Sequence, residues 1–144
     1  MGEVSIVIER PAAAVFAALS DPHSYPEWLV GCREMRAVDP DWPRPGAEFH
    51  HRVGMGPFTV DDSSCLLEIE PERCLRLQVR ARPVGRGEVT FRLAPDHEGR
   101  STIVTLSEVP VGLLAVARPL LGPLTDARNR HSLQRLRDHL TASG

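Results

Sequence analysis

Alternation of apolar and polar positions dominates the chain. Residues 3–9 (Glu-Val-Ser-Ile-Val-Ile-Glu) are rich in β-branched side chains and predict a strand. Over 75–82, Leu75, Leu77, Val79 and Ala81 face one way, and Arg76, Gln78, Arg80 and Arg82 the other. Over 88–93, Val89, Phe91 and Leu93 alternate with Glu88, Thr90 and Arg92. Further strands are predicted at 33–38, 47–53, 58–69 and 102–108, the third of these bent or bulged near Asp61-Asp62-Ser63-Ser64. The joins from Gly46 onward are short, which permits antiparallel hairpins and no parallel crossover. Helical spacing occurs in three places. Pro11 opens a helix over Ala12–Ser20, with Val15, Phe16 and Leu19 on one face, and Asp21-Pro22 ends it. Ser24 is placed to cap a second, Tyr25–Leu29. The third runs from about 113 to 141, with Leu133, Leu136 and Leu140 as its clearest stripe.

This layout is α+β: a seven-stranded antiparallel sheet with two short helices between strands 1 and 2 and a long C-terminal helix. A sheet with one apolar face must cover it, and the tail helix is the element long enough to do so. At 144 residues, the chain reads as one domain, 1–144. A strongly curved sheet closed by one helix leaves volume to fill, and there are only seven aromatic residues. The expectation is a pocket of about 300–1,000 Å3; a fully packed core is the alternative.

Charge and rare residues narrow the chemistry. All 17 basic residues are arginine, which excludes lysine Schiff bases and lysine-bearing phosphate loops. A formal net charge of −2, with no aromatics interleaved among the arginines, argues against nucleic acid. Cys32, Cys65 and Cys74 form no metal-binding spacing and read as reduced thiols of a cytoplasmic protein. The most apolar stretch, Val109–Leu124, is broken by prolines, glycines and Arg118, so no membrane span is expected. No metal is expected either, because adjacent His50 and His51 point to opposite faces of a strand. No cofactor is implied.

The order Pro11, Asp21-Pro22, Tyr25-Pro26-Glu27-Trp28 resembles the START/Bet v 1-like (SRPBCC) superfamily, in particular its bacterial polyketide cyclase/dehydrase and lipid-transport branch. Gly46 before the third strand, Gly99-Arg100-Ser101-Thr102 entering the last, and Arg128-Asn129 followed by Ser132-Leu133 and Leu136 extend the likeness over the whole chain. The resemblance implies a helix-grip fold, with a hydrophobic cavity between the curved sheet and the helix it grips.

Candidate site residues follow from which way side chains point. His51 shares its face with Phe49 and is turned inward, as a proton-shuttling group or as a hydrogen-bonded core histidine. Extending the leucine stripe back along the tail reaches Asn129, Thr125, Leu121 and Arg118, so the sheet-facing side turns polar. A buried Asn129 amide needs a partner, since an orphan costs about 1–3 kcal/mol; a backbone carbonyl or a water of the sheet is the plain choice. A second stripe, Leu113, Ala117, Leu120 and Leu124, reflects a helix break at Pro119 or Pro123, a second subunit in a homodimer, or a gate. Trp28 is read as packing, Tyr25 as standing near the pocket mouth, and Asp61 and Asp62 as both exposed on a bulge. The ligand-contacting set is Trp28, Phe49, His51, Val79, Phe91, Leu121, Thr125 and Asn129. The candidates for catalysis are His51, Tyr25 and Asn129, with Arg118 beside them and a general acid if one of Asp61 and Asp62 turns inward instead.

Three functions fit. The first is a carrier or sensor for a small hydrophobic molecule such as a lipid, isoprenoid or polyketide-like aromatic. The second is a polyketide aromatase/cyclase-dehydratase using the same pocket, and the third a protein-interaction module.

Overall fold

The computed structural model describes residues 2–30, 32–55, 57–81, 85–111 and 118–142; at 2, 53–55, 58–60, 80–81, 85–86, 110–111, 118–125 and 142 the backbone alone is described. Among the described residues, strand β1 (Gly2–Ile8) leads into helix α1 (Ala12–Leu19), a 3-10 turn at Pro22–Ser24 and helix α2 (Tyr25–Trp28). Strands β2 (Cys32–Val38), β3 (Glu48–Met55), β4 (Phe58–Glu70), β5 (Cys74–Ala81), β6 (Gly85–Asp96) and β7 (Ser101–Val111) follow, and helix α3 (Arg118–Ala142) ends the chain. All the strands join one antiparallel sheet, in the order β1-β7-β6-β5-β4-β3-β2. The short connections account for β2 to β7 meandering side by side. The long return of β1 to β7 closes the other edge.

The predicted alternation is realised in burial. Leu75, Leu77, Phe91, Leu93, Val104 and Leu106 are buried on the inner face. Leu133, Leu136 and Leu140 of α3 join the same core. Each such side chain taken fully from water contributes about 1.5–3 kcal/mol. The helix lies against β1 and α2, with lesser contacts to β7 and α1. Three polar links hold its C-terminal half in place. The Ser132 hydroxyl accepts from the Val30 amide at 3.0 Å, and Arg135 donates to the Glu27 carbonyl at 2.8 Å. Arg10 donates to the Leu140 carbonyl at 2.6 Å, supplying a partner to a last-turn carbonyl that has none within the helix.

Three expectations are corrected. Asp61 and Asp62 do not share a bulge: β3 and β4 pair without interruption there, so Asp61 faces out and Asp62 is buried. The irregularity lies farther on, between Leu66 and Glu68, where β4 meets β5. It switches the inward parity from residues 62, 64 and 66 to Ile69, which packs on the core. Ser24 makes no helix-capping bond. Its hydroxyl instead bonds the Ala18 and Asp21 carbonyls at 2.9 and 2.8 Å, and Asp21 caps the turn through the His23 amide. Within the described residues, the tail is one α-helix from Arg118 to Ala142, which includes Pro119 and Pro123. Residues 112–117 and the side chains of the second stripe lie outside the described residues.

Candidate functional site

The inner face carries two polar groupings set in hydrocarbon. The first is on β3 and β4. His51 and Asp62 are directly paired across the two strands, and Ser64 sits one inward position along. All three are buried, with 3%, 4% and 0% of their surface exposed. His51 Nε2 and Ser64 Oγ are 2.9 Å apart and hydrogen-bonded. His51 Nδ1 is buried and has no hydrogen-bond partner among the described residues. Burial pushes the imidazole below its ordinary pKa; the Asp62 carboxylate opposes that shift, while Arg36 and His50 add to it. The ring is therefore neutral near pH 7 and offers one donor and one acceptor. One Asp62 oxygen accepts from the Ser63 amide at 2.8 Å.

An aromatic row leads away from this trio. Phe49 lies 5.3 Å from the His51 ring, then Tyr25 5.4 Å from Phe49, Trp28 5.3 Å from Tyr25 and Phe91 6.0 Å from Trp28. The last three contacts are edge-to-face, the favoured arrangement for such rings. Trp42, from the loop between β2 and β3, packs edge-on against Phe49 at 5.5 Å and donates its indole N–H to the Ser20 carbonyl. Gly46, at φ +94°, lets that loop turn back so that its amide reaches the Leu66 carbonyl at 2.7 Å.

Tyr25 does not stand at a mouth. It is 1% exposed, and its hydroxyl donates to the Leu19 carbonyl at 2.5 Å. Burial, reinforced by Asp21 and Cys32, holds the phenol far above its usual pKa. Trp28 is fully buried, and its indole N–H is taken by Ser24 Oγ at 3.0 Å. Val79 is half-buried against the core, and Phe49 and Phe91 are buried. The Leu121 and Thr125 side chains lie outside the described residues. Burial also raises the Cys32 thiol to about 11, and all three cysteines are free.

The second grouping joins α3 to β7. Asn129 is buried and donates to Glu108 Oε1 at 3.3 Å, while its own Oδ1 accepts from Arg128 at 3.4 Å. Arg128 also pairs directly with Glu108 Oε1. The partner of the amide is thus a carboxylate, in place of the expected backbone carbonyl or water. Glu108 carried a readable signal: it shares the parity of buried Thr102, Val104 and Leu106 in β7. Asp62 and Ser64 carried the same signal, concealed by the expectation of a bulge. Among the described residues, no group of three His, Cys, Asp or Glu side chains is placed to hold a metal ion. None of the described helices is long and apolar enough to cross a membrane.

A curved antiparallel sheet gripping a C-terminal helix, with short helices between its first two strands, defines a START/Bet v 1-like helix-grip protein. The model of the polyketide cyclase/dehydrase and lipid transport family matches residues 2–141, and the chain belongs to that family. No curated protein matches its sequence. Among solved structures it is similar to a START superfamily protein from Mycobacterium smegmatis, with TM-score 0.81, 14% identity, and coverage of 99% of this chain and 97% of that one. Protein NE0264 from Nitrosomonas europaea gives TM-score 0.72, 19% identity, and coverage of 99% and 96%. StfQ, a di-domain ARO/CYC protein of the steffimycin biosynthetic pathway, gives TM-score 0.74 and 11% identity over 98% of this chain and 50% of that one. These likenesses bear on the fold.

Proposed function

We propose that the protein binds a small hydrophobic molecule between the sheet and the C-terminal helix and acts as its carrier or sensor. The observation that carries this reading is an apolar sheet face whose Phe91 and Phe49 are joined by the Trp28 and Tyr25 rings of α2, next to a neutral, buried histidine with an unpartnered nitrogen. Such a surface suits an apolar guest with few polar atoms. The family description, which includes lipid transport, points the same way, and the free thiols fit a reducing cytoplasm. Native mass spectrometry of protein purified without added ligand, with a thermal-shift panel of lipids, isoprenoids and polycyclic aromatics, tests it. Co-purifying mass, or melting shifted upward by apolar compounds, is the expected result. Protein that carries nothing and answers to no member of the panel would overturn the proposal.

The hydrogen-bonded His51–Ser64 pair favours one second reading, a cyclase-dehydratase. A neutral imidazole in an apolar site can take a proton from a carbon next to a carbonyl and return it to a leaving hydroxyl. The family description also includes cyclase/dehydrase activity. Incubation with a reactive poly-β-ketone decides it: wild type changes the product profile and His51→Ala does not. Identical profiles from both proteins and from buffer would remove this reading.

A further inference from the structure

We infer that the ligand of the inner face is an uncharged molecule bearing a hydroxyl group, held by that hydroxyl at His51 Nδ1. The inference rests on the binding reading above and narrows it to a ligand class. It starts from hydrogen-bond accounting at the trio. Neutral imidazole carries one proton for its two nitrogens. If Nε2 accepts from Ser64, then Nδ1–H is a buried donor without an acceptor. If Nε2–H donates to Ser64, then Nδ1 is a bare buried acceptor. Both arrangements leave a buried polar atom unsatisfied, which proteins avoid. A ligand group completes either arrangement if it can both accept and donate, and a hydroxyl does both.

Charge selects against the other common polar end, a carboxylate. The Asp62 carboxylate is the cross-strand neighbour of His51 and is itself buried, so an anion at Nδ1 would sit beside a like charge. Among the described residues, the arginine whose charge acts on the ring is Arg36, and its guanidinium is already 3.8 Å from exposed Asp61 and 3.3 Å from the Asp62 backbone carbonyl. No lysine exists in the chain to serve instead. The adjoining Phe49 and Tyr25 rings fit the apolar body that carries the hydroxyl.

The test uses three ligands of one shape: naphthalene, 2-naphthol and 2-naphthoate, titrated by fluorescence into wild-type protein and into His51→Phe. Wild type should bind 2-naphthol about tenfold tighter than naphthalene, the worth of one buried hydrogen bond to an otherwise orphaned group. It should bind 2-naphthoate more weakly than 2-naphthol. In His51→Phe the preference for the alcohol should vanish while naphthalene binding persists. A measurement on wild type alone covers the case in which the variant does not fold. The 15N signal of His51 Nδ1 should shift on adding 2-naphthol and stay still on adding naphthalene. Naphthalene binding as tightly as 2-naphthol, with a still Nδ1 signal, would overturn the inference and leave hydrophobic binding standing. Tightest binding of 2-naphthoate would overturn it on charge. No binding of any of the three would overturn this inference and count against the binding proposal beneath it.

Discussion

The two sides of the inner face differ sharply. Toward β1 and β7, the sheet presents Val4, Ile8, Val104 and Leu106 beside the leucines of α3, and the polar groups set among them, Glu108 and Asn129, bond to each other. Toward β3 and β4, the same face turns inward a histidine, a carboxylate and a hydroxyl, all as buried as the leucines. Both sides arise from the same alternation of strand residues. What differs is what the inward positions hold, and hence what burial does there. On the first side it releases water from apolar surface and stabilises the fold. On the second it strips water from groups that want it, leaving the buried His51 Nδ1 without a partner among the described residues. Stability and chemistry thus occupy opposite ends of one surface.

Substitutions can break or sharpen that contrast. The largest effect is expected from Leu136→Ala, which removes a fully buried side chain from the helix stripe. It should lower unfolding free energy by about 2–5 kcal/mol in urea titration. A loss well under that would mean the helix is not the anchor of the hydrocarbon side. Next is Ser24→Ala, which removes two bonds to backbone carbonyls and strands the Trp28 indole N–H. About 1–3 kcal/mol should be lost, with a red or intensity change in tryptophan emission as the local readout.

A smaller effect comes from pH. The folded state holds His51 below its ordinary value of 6.5, so the unfolded chain binds a proton that the folded ring refuses. Stability should therefore fall as pH drops below about 6.5 and level off beneath the folded pKa, with a slope of at most about 1.4 kcal/mol per pH unit from this group. Melting curves of wild type and His51→Phe, compared from pH 8 down to pH 5 on the same basis, should diverge in that window. Parallel curves would show that His51 has the same pKa in the folded and unfolded chain. The smallest effect is expected on the outer face. Arg52 bridges Asp61 at 2.9 Å and Glu34 at 3.0 Å on the water-facing side of the sheet. Arg52→Gln should leave the urea midpoint unchanged within error, because exposed ion pairs are screened.

Much of this molecule was legible before any coordinates. Strand alternation, short joins and the Leu133/Leu136/Leu140 stripe predict the sheet, its antiparallel sense and the buried face of the helix, since each depends on neighbours within a few residues. The inward turn of His51 was readable from Phe49 for the same reason. Other features depended on contacts between distant segments. The pairing of β1 with β7, the carboxylate of Glu108 meeting Asn129, the Tyr25 hydroxyl spent on Leu19, and Trp42 folded onto Phe49 each join parts of the chain that no local pattern links. The Asp62–Ser64 pair lay between these cases: alternation would have found it, but a run of small polar residues also suits a bulge. Only pairing with β3 decides between the two, because register is set by the partner strand and not by the strand itself. Local periodicity thus determined the elements and their faces, while tertiary packing decided which polar groups meet.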